Sequence, residues 1–152
     1  MKGVFIMSIT SMFRGKSRKG QWVKLPNVIE IEGITLLCGS SGFIVKQSDD
    51  GLTAVRGNFT AVLPSSVGAK TSRKDKDNKE IFEGDILRVS TTVEETTTNV
   101  DYLVKFKDGA FIAEAVTDGA EDSALSAEFT ATAAIIGNST DDPELLPEDD
   151  DS

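Results

Sequence analysis

One short segment constrains the fold of this chain more than any other: Asp108-Gly109, set between two stretches of alternating apolar residues. The stretch "VDYLVKF" (100–106) precedes the pair, and "AFIAEAV" (110–116) follows it. Turn residues flanked by such alternation are a strong signal for a β-hairpin. The sequence therefore predicts antiparallel strands in its second half.

Strand patterns recur along the rest of the chain, whereas helical periodicity is scarce. Short runs rich in Val, Ile, Phe and Thr are separated by Gly and Asp/Asn turns, which is typical of strands. Besides the two stretches above, we predict strands over residues 21–25, 28–38, 42–47, 52–64, 85–93 and 132–138.

Signals for turns and helices are confined to a few segments. Residues 48–51 are predicted to form a hairpin turn, with Gly51 at positive φ. Residues 117–129 have room for one short helical turn. Asp142 followed by Pro143 is typical of an N-cap and the first position of another helical turn.

These patterns together predict an all-β fold, mainly β with one or two short helical turns. The short strands of the second half favour a small curled sheet; an SH3-like barrel is the preferred interpretation and a small β-sandwich the alternative. The predicted divisions are an N-terminal extension (1–12), an N-terminal β region (13–70), the SH3-like barrel region (71–147) and a disordered acidic tail (148–152).

Composition narrows the functions that we expect. The 152 residues include no histidine, which is the commonest general base and metal ligand. Cys38 is the single cysteine, so an internal disulfide and a thiolate metal cluster are excluded, and a reducing cytoplasm is indicated. The N-terminus lacks a signal-peptide pattern, and no apolar stretch reaches the roughly 20 residues of a membrane helix. We therefore predict no metal, cofactor or membrane partner.

Charge is distributed unevenly along the chain. Residues 1–80 hold 13 Lys/Arg and 7 Asp/Glu, whereas residues 81–152 hold 3 and 18. The net charge of −9 disfavours nucleic acid as a partner. Two basic clusters are either solvated loops or a local patch for an anionic ligand or for the acidic end of another copy. They are Arg14, Lys16, Arg18, Lys19 and Lys24, and Lys70, Arg73, Lys74, Lys76 and Lys79.

Trp22 lies beside the first basic cluster. An aromatic ring next to cations is the usual arrangement for stacking on a base, although most aromatic residues belong to a core. The candidate ligand-binding residues are Arg14, Arg18, Trp22, Arg73, Lys74 and Lys76.

The segment "DKDNKE" begins like a calcium loop with Asp75 and Asp77. Such a loop requires an oxygen ligand at its fifth position, Gly at the sixth and Glu at the twelfth, where this chain has Lys79, Glu80 and Ile86. We interpret Asp77-Asn78 as a two-residue turn instead, because both side chains tolerate a left-handed backbone.

The segment "EGD" contains two carboxylates, Glu83 and Asp85, that in principle suit general acid and base chemistry. No nucleophile, lysine or histidine lies beside them in the sequence. We predict that Gly84 allows a corner and that the Asp85 side chain accepts backbone N–H groups at the start of a strand. No catalytic residue is assigned, and the chain is not predicted to be an enzyme.

Three segments, taken in order, resemble the YopX-type proteins of bacteriophages and prophages. They are "FRGKSRKGQWV", "KTSRKDKDNKEIFEGDILRV" and "IIGNSTDDPELL", and they run from Phe13 to Leu146. The chain departs from the family at Asp77-Asn78, where the usual pair is Asn-Gly, and at Lys70 to Arg73, where the family is more apolar. The resemblance implies a phage origin, a largely β fold and homo-oligomers, but it implies no reaction.

The leading hypothesis is a non-enzymatic phage accessory protein, a β-rich interaction and oligomerisation module in the cytoplasm of the infected bacterium. Its expected partners are itself and either a host protein or an anionic small molecule. One alternative is an anti-defence sponge for a nucleotide second messenger, with Arg14, Arg18, Lys74 and Lys76 on phosphates and Trp22 on a base. Another is an acidic DNA mimic that inhibits a host protein.

Overall fold

The computed structural model describes the backbone of residues 12–47, 49 and 53–147, and the side chains of residues 12–39, 49 and 59–147. The tail predicted over residues 148–152 lies outside the described residues. So do all of the predicted extension except Met12 and all of the predicted turn over 48–51 except Asp49.

The predicted all-β fold class is confirmed, since the described part of the chain consists mainly of strands in three antiparallel sheets. Closure of a sheet into an SH3-like barrel stays a prediction. The strands are β1 (Phe13–Lys16), β2 (Trp22–Leu25), β3 (Asn27–Ile31), β4 (Ile34–Gln47), β5 (Thr53–Val62), β6 (Gly68–Lys74), β7 (Glu80–Phe82), β8 (Asp85–Val93), β9 (Thr96–Lys107), β10 (Ala110–Ala115), β11 (Ser123–Ala124) and β12 (Ala133–Asn138). The helices are α1 (Ala127–Thr130) and the 3-10 turns Pro64–Ser66 and Pro143–Leu145. No helix in the described residues is long and apolar enough to cross a membrane.

The chain divides into two compact units, Met1–Ala69 and Lys70–Ser152. In the first unit, β1 pairs with β2 and with the first residues of β6, while β3, β4 and β5 form a three-stranded sheet. Leu37 and Cys38 are neighbours on β4 and are both 0% exposed, so the strand is covered on both faces at these two residues. Burial raises the pKa of the Cys38 thiol, which favours its protonated form.

The strand predicted over residues 28–38 is in fact two strands, β3 and β4. They meet at a tight turn in which Glu32 and Gly33 have φ values of 50° and 81°. Two successive positive φ values give a turn whose twist matches a hairpin. The sequence did not indicate this turn, because apolar residues continue on both sides of it and Glu-Gly is a weaker turn signal than Asn-Gly or Asp-Gly.

The second unit contains a five-stranded antiparallel sheet in the order β11-β10-β9-β8-β12. Its last long strand, β12, returns to pair with β8, the first strand of the sheet. An edge-to-face contact between Tyr102 and Phe129, with ring centroids 4.9 Å apart, packs against the core. The fully or nearly buried core residues are Ile81, Leu87, Val104, Ala113, Leu125 and Ala133.

Two segments that lie outside the predicted strands contain strand residues. Residues 94–99 contain only a turn at Glu94-Glu95, after which β9 begins at Thr96. The basic segment that starts at Lys70 lies mostly on β6, which bends through an irregular register between Lys70 and Lys74. The abundance of charged and hydroxyl side chains suggested loops, but cross-strand pairing decided the backbone conformation.

Candidate functional site

The first basic cluster is organised by the pairing of β1 with β2. Arg14 pairs with Lys24 and Lys16 pairs with Trp22, so these four side chains share one face of the hairpin. The Arg14 Cζ atom lies 4.9 Å from the centroid of the Trp22 ring, and the Lys16 Nζ atom lies 6.0 Å from it. Both distances suit cation–π attraction. We call Arg14, Lys16 and Trp22 the aromatic–cation cluster.

The opposite face of this hairpin is packed within the first unit. An added Cβ at Gly15 would lie 3.1 Å from three atoms of Val62, so a larger residue here would require Val62 to shift. Arg18 is exposed in the turn after β1 and lines a cleft of about 340 Å³ together with Val23 and Thr60. The structure therefore brings Arg14 and Trp22 together, whereas Arg18 belongs to a different surface of the same unit.

The second basic cluster follows β6 in the second unit. Lys70 forms an ion pair with Glu80, in which Nζ and Oε1 are 2.9 Å apart. The Arg73 Nε atom donates to the carbonyl oxygen of Leu125 at 3.2 Å. The side chains of Lys74 and Lys76 make no ion pair within the described part of the chain.

A cleft of about 430 Å³ opens between this basic segment and the short helix α1. We call it the basic cleft. One wall carries three cationic side chains and the other carries small residues and a hydroxyl group. Its lining residues are Ser72, Arg73, Lys74, Asp75, Lys76, Ala127, Thr130 and Ala131.

Ser72 adopts an unusual backbone conformation in the wall of the basic cleft. Its φ value of 68° lies in the left-handed region, which costs roughly 1–2 kcal/mol for a residue with a side chain. The residue coincides with the irregular pairing of β6 and β7 between Lys70 and Lys74. Such strained positions concentrate at functional sites, where the surrounding fold holds them in place.

Asp75 holds the turn beneath the basic cleft. Its Oδ1 atom accepts hydrogen bonds from the backbone N–H groups of Asp77 and Lys79, both at 2.9 Å, and its Oδ2 atom accepts from that of Ile135 at 3.0 Å. Burial by itself raises the pKa of Asp75, but the three N–H donors and the nearby Lys79 charge outweigh it and lower the pKa below its ordinary value. The carboxylate is therefore a buried structural anion that connects this turn to β12.

Asp85 stands at the corner that opens β8. It is 1% exposed, and its Oδ2 atom accepts a hydrogen bond from the Phe82 N–H at 2.8 Å. Gly84 has a φ value of 95°, donates its N–H to the Val104 carbonyl and accepts from the Ser139 N–H. This arrangement is a corner of the backbone, as the sequence predicts for Gly84 and Asp85, and Glu83 beside them is half-buried.

The other predicted turn residues lie in turns. Asn78 has a φ value of 64°, and its N–H donates to the Asp75 carbonyl, so it follows Asp77 in the turn between β6 and β7. Asp108 and Gly109 have φ values of 53° and 84° between β9 and β10. The Asp142 side chain does not cap the 3-10 turn that follows it, and it accepts instead from the Asn138 N–H.

The β8–β9 hairpin extends well beyond the sheet to which it belongs. β12 pairs with β8 only from Asp85 to Val89, and β10 pairs with β9 only from Tyr102 to Lys107. Residues 90–99 therefore form a two-stranded ribbon, which we call the hairpin arm. One face carries side-chain hydrogen bonds between Ser90 and Asn99 at 2.6 Å and between Thr92 and Thr97 at 3.0 Å.

An ion pair marks the base of the hairpin arm. Arg88 and Asp101 are cross-strand partners joined by two hydrogen bonds, from Nε at 2.7 Å and from Nη2 at 2.9 Å. The Asp101 carboxylate raises the pKa of Arg88 through this hydrogen bonding and through its charge. Every residue from Ser90 to Asn99 is exposed.

Several residues of these sites were not singled out from the sequence. Ser72 and Thr130 line the basic cleft, although neither has a local pattern that indicates a site. The role of Asp75 had a recognisable signal, because Asp followed by turn residues often accepts backbone N–H groups two positions on. Among the described residues, no group of three or more Cys, Asp or Glu side chains is arranged to hold a metal ion.

The solved structures that are similar to this chain include two from bacteria. The crystal structure of protein EF1440 from Enterococcus faecalis has a TM-score of 0.55 and 21% identity, covering 92% of this chain and 100% of that one. The crystal structure of protein yopX from Bacillus subtilis has a TM-score of 0.46 and 18% identity, covering 91% of this chain and 97% of that one. At these identities the first likeness shows a shared fold alone. No curated protein matches the chain.

The family comparison agrees with the resemblance found in the sequence. The model of the family described as YopX protein matches residues 29–147, which is more than half of the chain. This match includes two of the three segments that carry the resemblance, and it extends through β12. The chain therefore belongs to the YopX protein family.

Proposed function

We propose that the protein is a non-enzymatic accessory protein of a phage or prophage that acts in the bacterial cytoplasm by self-association and partner binding. The phage origin rests on the resemblance to YopX-type proteins. Binding rather than catalysis is supported by the use of Asp75 and Asp85, whose carboxylates accept backbone hydrogen bonds at turns. Carboxylates engaged in this way are suited to stabilising the fold.

The hairpin arm is the observation that carries self-association. Its β9 edge, from Thr96 to Val100, has no further strand pairing in the described part of the chain. Proteins protect such an edge with charged residues, proline or a bulge, because an open edge is a template for another strand. None of these devices occurs between Thr96 and Val100. We infer that a second copy of the chain pairs with this edge.

The side chains along this edge suit pairing with an identical edge. A twofold axis at Thr98 sets Thr97 opposite Asn99 of the other copy and Thr96 opposite Val100. All of these side chains are uncharged, and threonine and valine favour strands. Glu94 and Glu95 of the two copies lie at opposite ends in this antiparallel arrangement, so their charges stay apart.

Native mass spectrometry of wild-type protein and a Thr98→Lys variant tests this proposal. We expect a defined oligomer for the wild type and a shift to monomer for Thr98→Lys, because two lysines would meet at the twofold axis. Thr91→Lys is the matched control, since Thr91 is the direct cross-strand partner of Thr98 but belongs to the other edge of the arm.

A wild-type monomer at micromolar concentration would contradict self-association. If Thr91→Lys and Thr98→Lys dissociated the oligomer equally, the β9 edge would be excluded as the specific contact. Circular dichroism of both variants checks that each one keeps its strands.

Nucleotide sequestration is a second candidate, favoured by the aromatic–cation cluster. Trp22 is the single tryptophan of the chain, and Arg14 and Lys16 lie over its ring. A nucleotide at this cluster would place phosphates on the cations and a base against the indole. The acidic DNA-mimic hypothesis stays a prediction.

Tryptophan fluorescence tests this second candidate directly, because Trp22 alone gives the signal. Titration with a panel of cyclic nucleotides should quench the emission, and Arg14→Gln should weaken the quenching. An unchanged emission throughout the panel, together with no heat in calorimetry, would exclude the cluster as a nucleotide site.

A further inference from the structure

We propose that the basic cleft of the second unit binds the phosphate group of a small phosphorylated molecule. This inference goes beyond the self-association proposed above, because the cleft contains no residue of the hairpin arm. It also differs from the second candidate, since the aromatic–cation cluster belongs to the first unit.

The lysines of the second unit differ in whether they form ion pairs. Two other lysines of the second unit lie in ion pairs, Lys70 with Glu80 at 2.9 Å and Lys105 with Glu114 at 2.8 Å. The ammonium groups of Lys74 and Lys76 make no ion pair with any described residue. The charge of these two lysines is therefore not offset by an ion pair with a described residue, although the second unit is acidic as a whole, with 21 Asp/Glu and 8 Lys/Arg over residues 70–152.

The guanidinium group of Arg73 is held in place by one hydrogen bond. Its Nε atom donates to the Leu125 carbonyl at 3.2 Å, and this contact anchors the guanidinium group. The two terminal nitrogens have no hydrogen-bond acceptor among the described residues. A guanidinium presents planar, paired donors that match two oxygens of one phosphate. Anchoring Nε in advance reduces the conformational entropy that the side chain loses on binding.

Asp75 is the only acidic residue among those that line the basic cleft. Its side chain is buried, and both carboxylate oxygens accept hydrogen bonds from backbone N–H groups. The carboxylate therefore faces the turn that it organises. The cations nearby, Arg73, Lys74 and Lys76, are all exposed and present the charge that a ligand would meet.

The shape of the cleft indicates the size of the ligand. Ala127 and Ala131 line the wall formed by the α1 segment, where larger side chains would fill the space. A volume of about 430 Å³ lies within the range of small-molecule sites. The lining carries three cations and the hydroxyl groups of Ser72 and Thr130 beside its alanines, and these polar groups suit a phosphate ester.

Isothermal titration calorimetry at 0.15 M salt tests the proposal with adenosine diphosphate, inorganic pyrophosphate and a phosphoserine peptide as probes. We expect the two small probes to bind wild-type protein. Arg73→Lys retains the charge but loses the paired donors and the Nε anchor, so it should weaken binding by about tenfold. Lys74→Gln should have a similar effect, whereas the matched control Lys107→Gln, which removes the same charge at the end of β9, should have little.

Each outcome decides the proposal. Absence of heat with both small probes would overturn it, and so would equal weakening by Lys74→Gln and Lys107→Gln, because that result would indicate general charge attraction. Tighter binding of the phosphoserine peptide than of the small probes would overturn the assignment to a small molecule. Thermal unfolding of each variant establishes that it is folded. Because the Thr98→Lys monomer retains the basic cleft, its titration separates this inference from self-association.

Discussion

The two ends of the β8–β9 hairpin differ sharply, although the same two strands form both. At its base, Leu87 and Val104 are 0% and 1% exposed and belong to the core of the second unit. In the hairpin arm, Val93 is 63% exposed and its neighbours are mostly threonine. The ion pair between Arg88 and Asp101 lies between these two regions.

This difference separates the residues that stabilise the fold from those that are available for binding. Burial of apolar surface stabilises the base, whereas an isolated two-stranded ribbon is at best marginally stable in water. The hairpin arm therefore contributes little to the stability of the unit. Another reason is needed for its regular strand pairing. We infer that this reason is contact with a second copy of the chain.

The largest effect is expected from a substitution at the base. Leu87→Ala removes a fully buried side chain and should lower the free energy of unfolding by about 2–5 kcal/mol, because the lost burial is added to the cost of the cavity. Urea unfolding followed by circular dichroism measures this change. A loss below 1 kcal/mol, which is small for a cavity in a packed core, would show that the base is not the stabilising region.

An intermediate effect is expected at Asp75, whose Oδ2 atom accepts from Ile135, the strand partner of Leu87. The folded protein lowers the pKa of Asp75, so its stabilising contribution is complete above the unfolded pKa of about 3.9 and is lost as the pH falls through the folded pKa. Asp75→Asn replaces one accepting oxygen with a donor and should cost about 1–3 kcal/mol at pH 7.

This prediction is checked by urea unfolding of wild-type protein and Asp75→Asn at several pH values between 7 and about 2.5. The lower limit lies below the ordinary carboxyl pKa. The difference between the two proteins should narrow as the pH decreases, because the wild-type carboxylate becomes protonated. Other carboxylates titrate equally in both proteins and cancel in the difference. A difference that stays constant with pH would exclude a role for the Asp75 charge.

The smallest effect is expected in the hairpin arm. Val93→Thr keeps a β-branched residue at an exposed position and should change the free energy of unfolding by less than about 0.5 kcal/mol. The same urea experiment measures it beside Leu87→Ala. A loss comparable to that of Leu87→Ala would show that the arm is packed in solution, and it would remove the distinction between the two ends.

Local patterns were sufficient to predict much of the fold. The strand predicted over residues 85–93 coincides with β8, and that predicted over 110–116 coincides closely with β10. The strand predicted over 100–106 lies within β9, which begins four residues earlier. These segments combine alternating apolar residues with strong turn residues, so local preference and tertiary structure agree. The prediction was poorer at Glu32-Gly33 and Glu94-Glu95, where the neighbouring strands impose a left-handed backbone on glutamate.

The candidate sites could be predicted only in part. The basic and aromatic residues were evident from composition, but their grouping was not. Arg14 and Trp22 are adjacent because strand register pairs Lys16 with Trp22, whereas Arg18 lies in the turn. Register depends on pairing across the sheet, so a residue list cannot supply it.

The amino-acid sequence alone was enough to predict the β class of this protein, the positions of most of its strands and the separation of its basic and acidic halves. These properties follow from local backbone preference and from composition, which act without long-range contacts. Three features depend on tertiary packing: Arg73 is anchored on the Leu125 carbonyl, Asp75 reaches Ile135, and the hairpin arm extends beyond the sheet. Each of these contacts joins residues distant in the chain or depends on where a neighbouring strand ends, and the packing of the whole unit sets both.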